Sequence, residues 1–88
     1  MRESDVEAIF AKRVRELGGR SHKFAPLDAG NPDRIVLLPG GVIMFVELKA
    51  DGGELRPAQV LWHRRALELG TLVHVVTGSQ EARTWTPG

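Results

Sequence analysis

The sequence contains no cysteine. That excludes disulfides and thiolate metal sites, and a reducing compartment is the natural setting. No apolar run approaches the roughly 18–20 residues of a membrane span, and the opening residues MRESDVEA are charged, unlike a secretory leader. A cytoplasmic, intracellular location with no membrane partner is therefore expected. Excess charge of one sign is also missing: 12 Lys and Arg face 11 Asp and Glu, for a net +1. A phosphate-bearing partner would have to be held by local clusters or a metal, not by bulk charge. Repeats, low-complexity stretches and linkers are absent too. The 88 residues are expected to form one domain, 1–88, small enough that a self-association surface would help it.

What is present centres on Val42–Lys49, VIMFVELK. Alternation across a strand puts Ile43, Phe45, Glu47 and Lys49 on one face and Val42, Met44, Val46 and Leu48 on the other. Both faces are apolar until the end, which predicts a strand covered on both sides. A carboxylate and an ammonium then share a face where the apolar run stops. Burying them for packing alone would be costly.

Asp33–Leu38 reads as a second strand, joined to the first through Pro39-Gly40-Gly41. A three-residue loop places Asp33 opposite Glu47, with Cβ atoms about 4.5–5.5 Å apart. Two acids so close repel unless a cation lies between them. A two-residue Gly40-Gly41 turn would instead oppose Arg34 to Glu47, and the sequence allows either.

Ser4–Leu17 reads as a helix with a Ser4/Glu7 capping box and a Gly18-Gly19 stop. Val6, Phe10, Val14 and Leu17 form its apolar stripe, with Glu7 at the border. Glu7 is either the capping acid or a further acid leaning toward the sheet; Glu3, before the cap, is the weaker candidate. Arg20–Phe24 is a short strand, and Ala25–Asn31 has turn chemistry. Pro57 opens a second helix that ends at Leu69-Gly70. Its expected buried arc holds Val60, Trp62, Ala66, Leu67 and Leu69, and Gln59 and His63 fall inside it. Two polar side chains there need partners: each other, or the Glu47/Lys49 end of the sheet. Leu72–Val76 is a last strand, parallel to Val42–Lys49 through a right-handed crossover. His74 is expected to be structural. A turn of helix from Ser79 and a packed Trp85 complete the chain. The order is αβββαβ: an α/β fold with a small mixed β-sheet flanked by helices.

Asp33, Glu47 and Glu7 offer only oxygen ligands, which suit Mg²⁺ or Mn²⁺; without cysteine and with scattered histidines, zinc is not expected. Lys49 beside such an ion could orient or deprotonate a water and balance transition-state charge. Those are the parts needed to hydrolyse a phosphodiester.

Pro32-Asp33, a gap of 13 residues, then Glu47-Leu48-Lys49 resembles the PD-(D/E)xK nuclease motif. With Glu7, Gly18-Gly19, Lys23, Gly30 to Arg34, Pro39 to Gly41 and Leu55 to Gln59, the pattern looks like the virus-type replication-repair nuclease (VRR-NUC) family. The resemblance implies a restriction-endonuclease-like core and metal-dependent DNA cleavage. It implies that Asp33, Glu47 and the Leu48 carbonyl hold the Mg²⁺ or Mn²⁺, that Glu7 supports it, that Lys49 acts on the nucleophile, and that Gln59 is an accessory residue. It further implies a bacterial or phage-encoded homodimer acting on branched DNA, as Holliday-junction resolvases do in DNA repair. Candidate phosphate contacts are Lys23, Arg20, Arg34, Arg56, Arg64 and Arg65, each of which could equally be a solvated surface charge. The contrasting expectation is a non-catalytic DNA-binding or assembly module that kept the fold.

Overall fold

The computed structural model describes residues 2–25 and 28–88; two residues of the expected 25–31 turn, Pro26 and Leu27, lie outside it. The order is α1 (Glu3–Glu16), β1 (Arg20–Lys23), β2 (Arg34–Leu38), β3 (Val42–Lys49), α2 (Pro57–Glu68), β4 (Val73–Thr77) and α3 (Gly78–Thr84). The four strands form one sheet in the order β1-β2-β3-β4. The first two pairings are antiparallel, and β3–β4 is parallel.

Val6, Phe10 and Val14 recur every four residues along α1 and are fully buried. They pack on Val36, Val46, Leu48 and Val76 of the sheet, with Ala82 of α3 and Trp85 closing the layer. Burying each such side chain stabilises by about 1.5–3 kcal/mol, so this layer is the principal source of stability. Phe10 and Trp85 meet edge-on at 5.1 Å, and Arg13 donates to the Trp85 carbonyl at 2.8 Å. His74 lies edge-on to Trp85, a packing role.

α1 and α2 end in the same motif. Gly19 N–H bonds the Val14 carbonyl and Gly18 N–H that of Arg15; Thr71 and Gly70 do the same with Ala66 and Leu67. The start of α1 differs from expectation. Its N-cap is Arg2, whose N–H donates to Asp5 Oδ2 at 3.0 Å. The capping acid is therefore Asp5, not Glu7, and Glu3 lies inside the helix.

The hairpin takes the three-residue loop: Arg34 pairs with Val46 and Leu38 with Val42. β2 proper starts at Arg34, and Asp33 sits in the bend just before it. Coverage of β3 on both faces holds only from Val46 onward, because Ile43 is 63% exposed and Val42 is 44% exposed. The β2–β3 hairpin extends past the helices there. α2 also departs from the expected wheel. Val60, Leu67 and Leu69 are exposed, while Gln59 and Ala66 are buried and Trp62 and His63 partly so. The inward stripe is thus Gln59, Trp62, His63 and Ala66, at i, i+3, i+4 and i+7. A lone helix on that face leaves its flanks in water. The C-terminal turn is a full helix, α3, so the order is αβββαβα.

Gly30 fixes where the approach to β2 meets α2. Its φ is +86°, and an added Cβ would overlap the Ala58 carbonyl. Gly30→Ala is expected to cost more than about 1 kcal/mol, because both the space and the backbone angle exclude a side chain. A thermal melt checks this: a drop of about 4–8 °C per kcal/mol is the scale for a domain of this size.

Candidate active site

The register fixed by the loop carries Asp33 to the position opposite Glu47, on the sheet face covered by α2. The next pair along is Pro32 with Leu48. In an antiparallel ladder such a residue pair exchanges both N–H···O bonds, but proline has no N–H to give. Leu48 N–H is taken instead by Asp33 Oδ2 at 2.9 Å. The Leu48 carbonyl lies on the same strand edge, where proline at position 32 has no N–H to offer it. Phe24 N–H donates to the Asp33 carbonyl at 2.6 Å, holding the bend from the other side. The Asp33 carboxylate is thus positioned by backbone on both flanks.

Glu47 is fully buried. His63 Nε2 lies 3.2 Å from its Oε1, and its Oε2 has no hydrogen-bond partner among the described residues. Burial pushes the Glu47 carboxyl up to about 9, reinforced by the hydrogen bond and charge of Asp33 and by Glu3, and opposed by Lys49. Burial pushes His63 below its ordinary value; the Asp33 charge resists this and Lys49 adds to it. At neutral pH, with no cation, Glu47 and His63 therefore form a neutral hydrogen bond despite their ion-pair spacing.

The oxygen donors gathered here are the Asp33 carboxylate, Glu47 Oε2 and the Leu48 carbonyl. A buried carboxylate oxygen without a hydrogen-bond partner among the described residues is the kind of donor a hard divalent cation takes. No group of three or more His, Cys, Asp or Glu side chains with metal-holding geometry occurs among the described residues; two side chains and one backbone oxygen make up the set. Lys49 follows on the same face, partly exposed and level with Thr77 of β4.

The other expected residues are dispersed. Glu7 is partly buried and makes no hydrogen bond or ion pair among the described residues; of the α1 acids, it is Glu3 whose charge is felt at Glu47. Gln59 is 2% exposed and accepts from Arg56 N–H at 2.8 Å, capping its own helix. It does not pair with His63. Arg34 is 8% exposed, and its Nε donates to Ser21 Oγ at 3.0 Å. Arg20, Lys23 and Arg56 are exposed; Lys23 is cross-strand from Arg34 and so projects from the face opposite Glu47. Of the two partners the sequence left open for His63, Gln59 or the Glu47/Lys49 end of the sheet, the structure gives it Glu47.

No family model matches the chain. It is 41% identical over 88 residues to a protein of Acyrthosiphon pisum secondary endosymbiont phage 1 described as "Putative nuclease p44", covering 99% of this chain and 94% of that one. A solved structure described as "VRR_NUC domain" superposes with a TM-score of 0.82 at 34% identity, over 91% of this chain and 88% of the other. A second, "VRR_NUC domain protein", has a TM-score of 0.71 at 19% identity, over 96% and 84%, a likeness of fold. The four-stranded mixed sheet, the shared sequence and the near-complete coverage agree: the chain belongs to the VRR-NUC family of nuclease domains.

Proposed function

We propose that this chain is a divalent-metal-dependent DNA endonuclease that hydrolyses phosphodiester bonds, acts on branched DNA and works as a homodimer. The observation that carries the reading is the meeting of Asp33 and Glu47 Oε2, partnerless among the described residues, at one strand end, where Asp33 takes the Leu48 N–H and Lys49 follows on the Glu47 face. Asp33, Glu47 and the Leu48 carbonyl hold Mg²⁺ or Mn²⁺, and Glu7 supports the site from α1. A cation held by these residues would supply Lewis-acid polarisation of the scissile phosphate and a more acidic water, and would favour the ionised form of Glu47. Lys49 orients the attacking water and offsets charge that builds on the phosphoryl oxygens. Gln59 keeps α2 in register over the site through its cap. Arg20, Lys23 and Arg56 contribute phosphate contacts, with Arg64 and Arg65 beside them. Two copies are needed to place two sites on one branched duplex.

The test is a cleavage panel of linear, flapped, forked and four-way DNA in Mg²⁺, Mn²⁺ or EDTA. Cutting in either metal and none in EDTA is expected, with branched substrates preferred by on the order of tenfold or more, about 1.4 kcal/mol of barrier. Cutting in EDTA overturns the metal requirement. Binding without turnover in both metals leaves a DNA-binding module in place of an enzyme.

A further inference from the structure

The buried face of α2 is held at one azimuth by independent contacts. Gln59 caps its first turn, Trp62 meets Phe45 edge-on at 6.3 Å, and the Ala58 carbonyl sits against Gly30. These constraints deliver His63 to Glu47. The histidine side chain is 14% exposed and the glutamate side chain 0%. His63 Nε2 reaches Oε1, and no donor among the described residues reaches Oε2.

We propose that His63 is a positioning residue for Glu47: its Nε2–H holds Oε1, so that Oε2 is the oxygen offered to the cation. This rests on the metal-dependent reading above and adds to it a residue outside the ligand set. The chemistry is directional. An ionised carboxylate only accepts hydrogen bonds, so once Glu47 is ionised by a bound cation the imidazole must carry its proton on Nε2. Without that donor, a fully buried carboxylate has no hydrogen bond to one oxygen and no restraint on rotation about its last torsion, which is broad and two-fold. The arrangement inverts the common case in which a carboxylate orients a metal-bound histidine.

The inference is tested by Mn²⁺ affinity without DNA, read from the electron paramagnetic resonance signal of free Mn²⁺. Wild type, His63→Gln, His63→Leu and Asp33→Ala are compared at one pH. Glutamine keeps a donor at the Nε2 position, whereas leucine keeps bulk and removes the donor. His63→Leu is expected to weaken binding about 10–100-fold, the scale for groups that support a ligand, with His63→Gln staying within about threefold of wild type. A folded His63→Leu protein with wild-type affinity overturns the inference, as does a His63→Gln protein as weak as His63→Leu. If the leucine variant does not fold, His63→Gln alone decides: retained affinity supports the role, and loss overturns it. Wild type that binds no Mn²⁺, or binds it as tightly as Asp33→Ala does, overturns the metal site itself. That result is distinct from a wild type that binds and cleaves while His63→Leu is unaffected.

Discussion

Lys49→Ala is expected to leave a folded protein whose DNA cleavage in Mn²⁺ falls by about 10²–10⁴-fold, the range for losing a group that handles the nucleophile's proton or charge. The fold survives because Lys49 is partly exposed and makes no hydrogen bond or ion pair among the described residues. The chemistry does not, for two reasons. The ammonium is the cationic side chain on the Glu47 face at the strand end. It also eases ionisation of Glu47, whose carboxyl it pulls downward against burial and Asp33. A circular-dichroism spectrum and melt, run beside cleavage of four-way DNA, separate the two readouts. Wild-type cutting by a folded Lys49→Ala protein would remove Lys49 from the mechanism.

Glu47→Gln is expected to raise stability above neutral pH while also abolishing cleavage. In the metal-free protein the Glu47 carboxyl has been raised from 4.5 to about 9. Between those values the folded state holds a proton that the unfolded chain releases. Stability therefore falls as pH rises, with a slope of at most about 1.4 kcal/mol per pH unit. His63 acts in the other direction. Its folded-state value lies below 6.5, so the unfolded chain binds the extra proton and stability rises with pH up to about that point. Above pH 6.5 only the Glu47 effect remains. The wild-type melting temperature in EDTA should thus decline from about pH 6.5 toward pH 9. Glutamine is uncharged throughout and can donate to Asp33, so its profile should be flat over that window. At pH 8.5 the variant should exceed wild type by on the order of 1–3 kcal/mol. Mn²⁺ should restore wild type and leave Glu47→Gln unmoved, since the cation binds the ionised acid. A flat wild-type profile in EDTA would show that Glu47 titrates normally.

The hairpin was legible as two strands about a Pro-Gly-Gly turn, but the choice between a two- and a three-residue loop was not, because Gly40-Gly41 suits either. Pro39-Gly40-Gly41 sets the pairing, and the pairing alone determines that Asp33 faces Glu47. The parallel β4 followed from a strand–helix–strand order with a known hand. Contacts that depend on how helices sit on the sheet were not legible. Val60, Leu67 and Leu69 read as core because periodicity ranks apolar residues without knowing that α2 is alone on its face. His63 could be marked as needing a partner, but its target depends on an azimuth set by Gln59, Trp62 and Gly30 together. Composition likewise does not reveal that Arg34 Nε meets Ser21 of β1. The α1 cap was misplaced since Ser4/Glu7 and Arg2/Asp5 overlap, and both end in an acid three residues on.

Pro32, itself fully buried, carries a consequence beyond its neighbours. An imino nitrogen cannot be persuaded to donate by any movement of side chains, so the sheet opens at that rung by covalent constitution and not by balance of forces. The oxygen to which it offers no N–H belongs to the main chain and is indifferent to which residue occupies position 48. Substitution at either neighbour can erode the acids around the opening, yet the opening itself persists for as long as that ring remains.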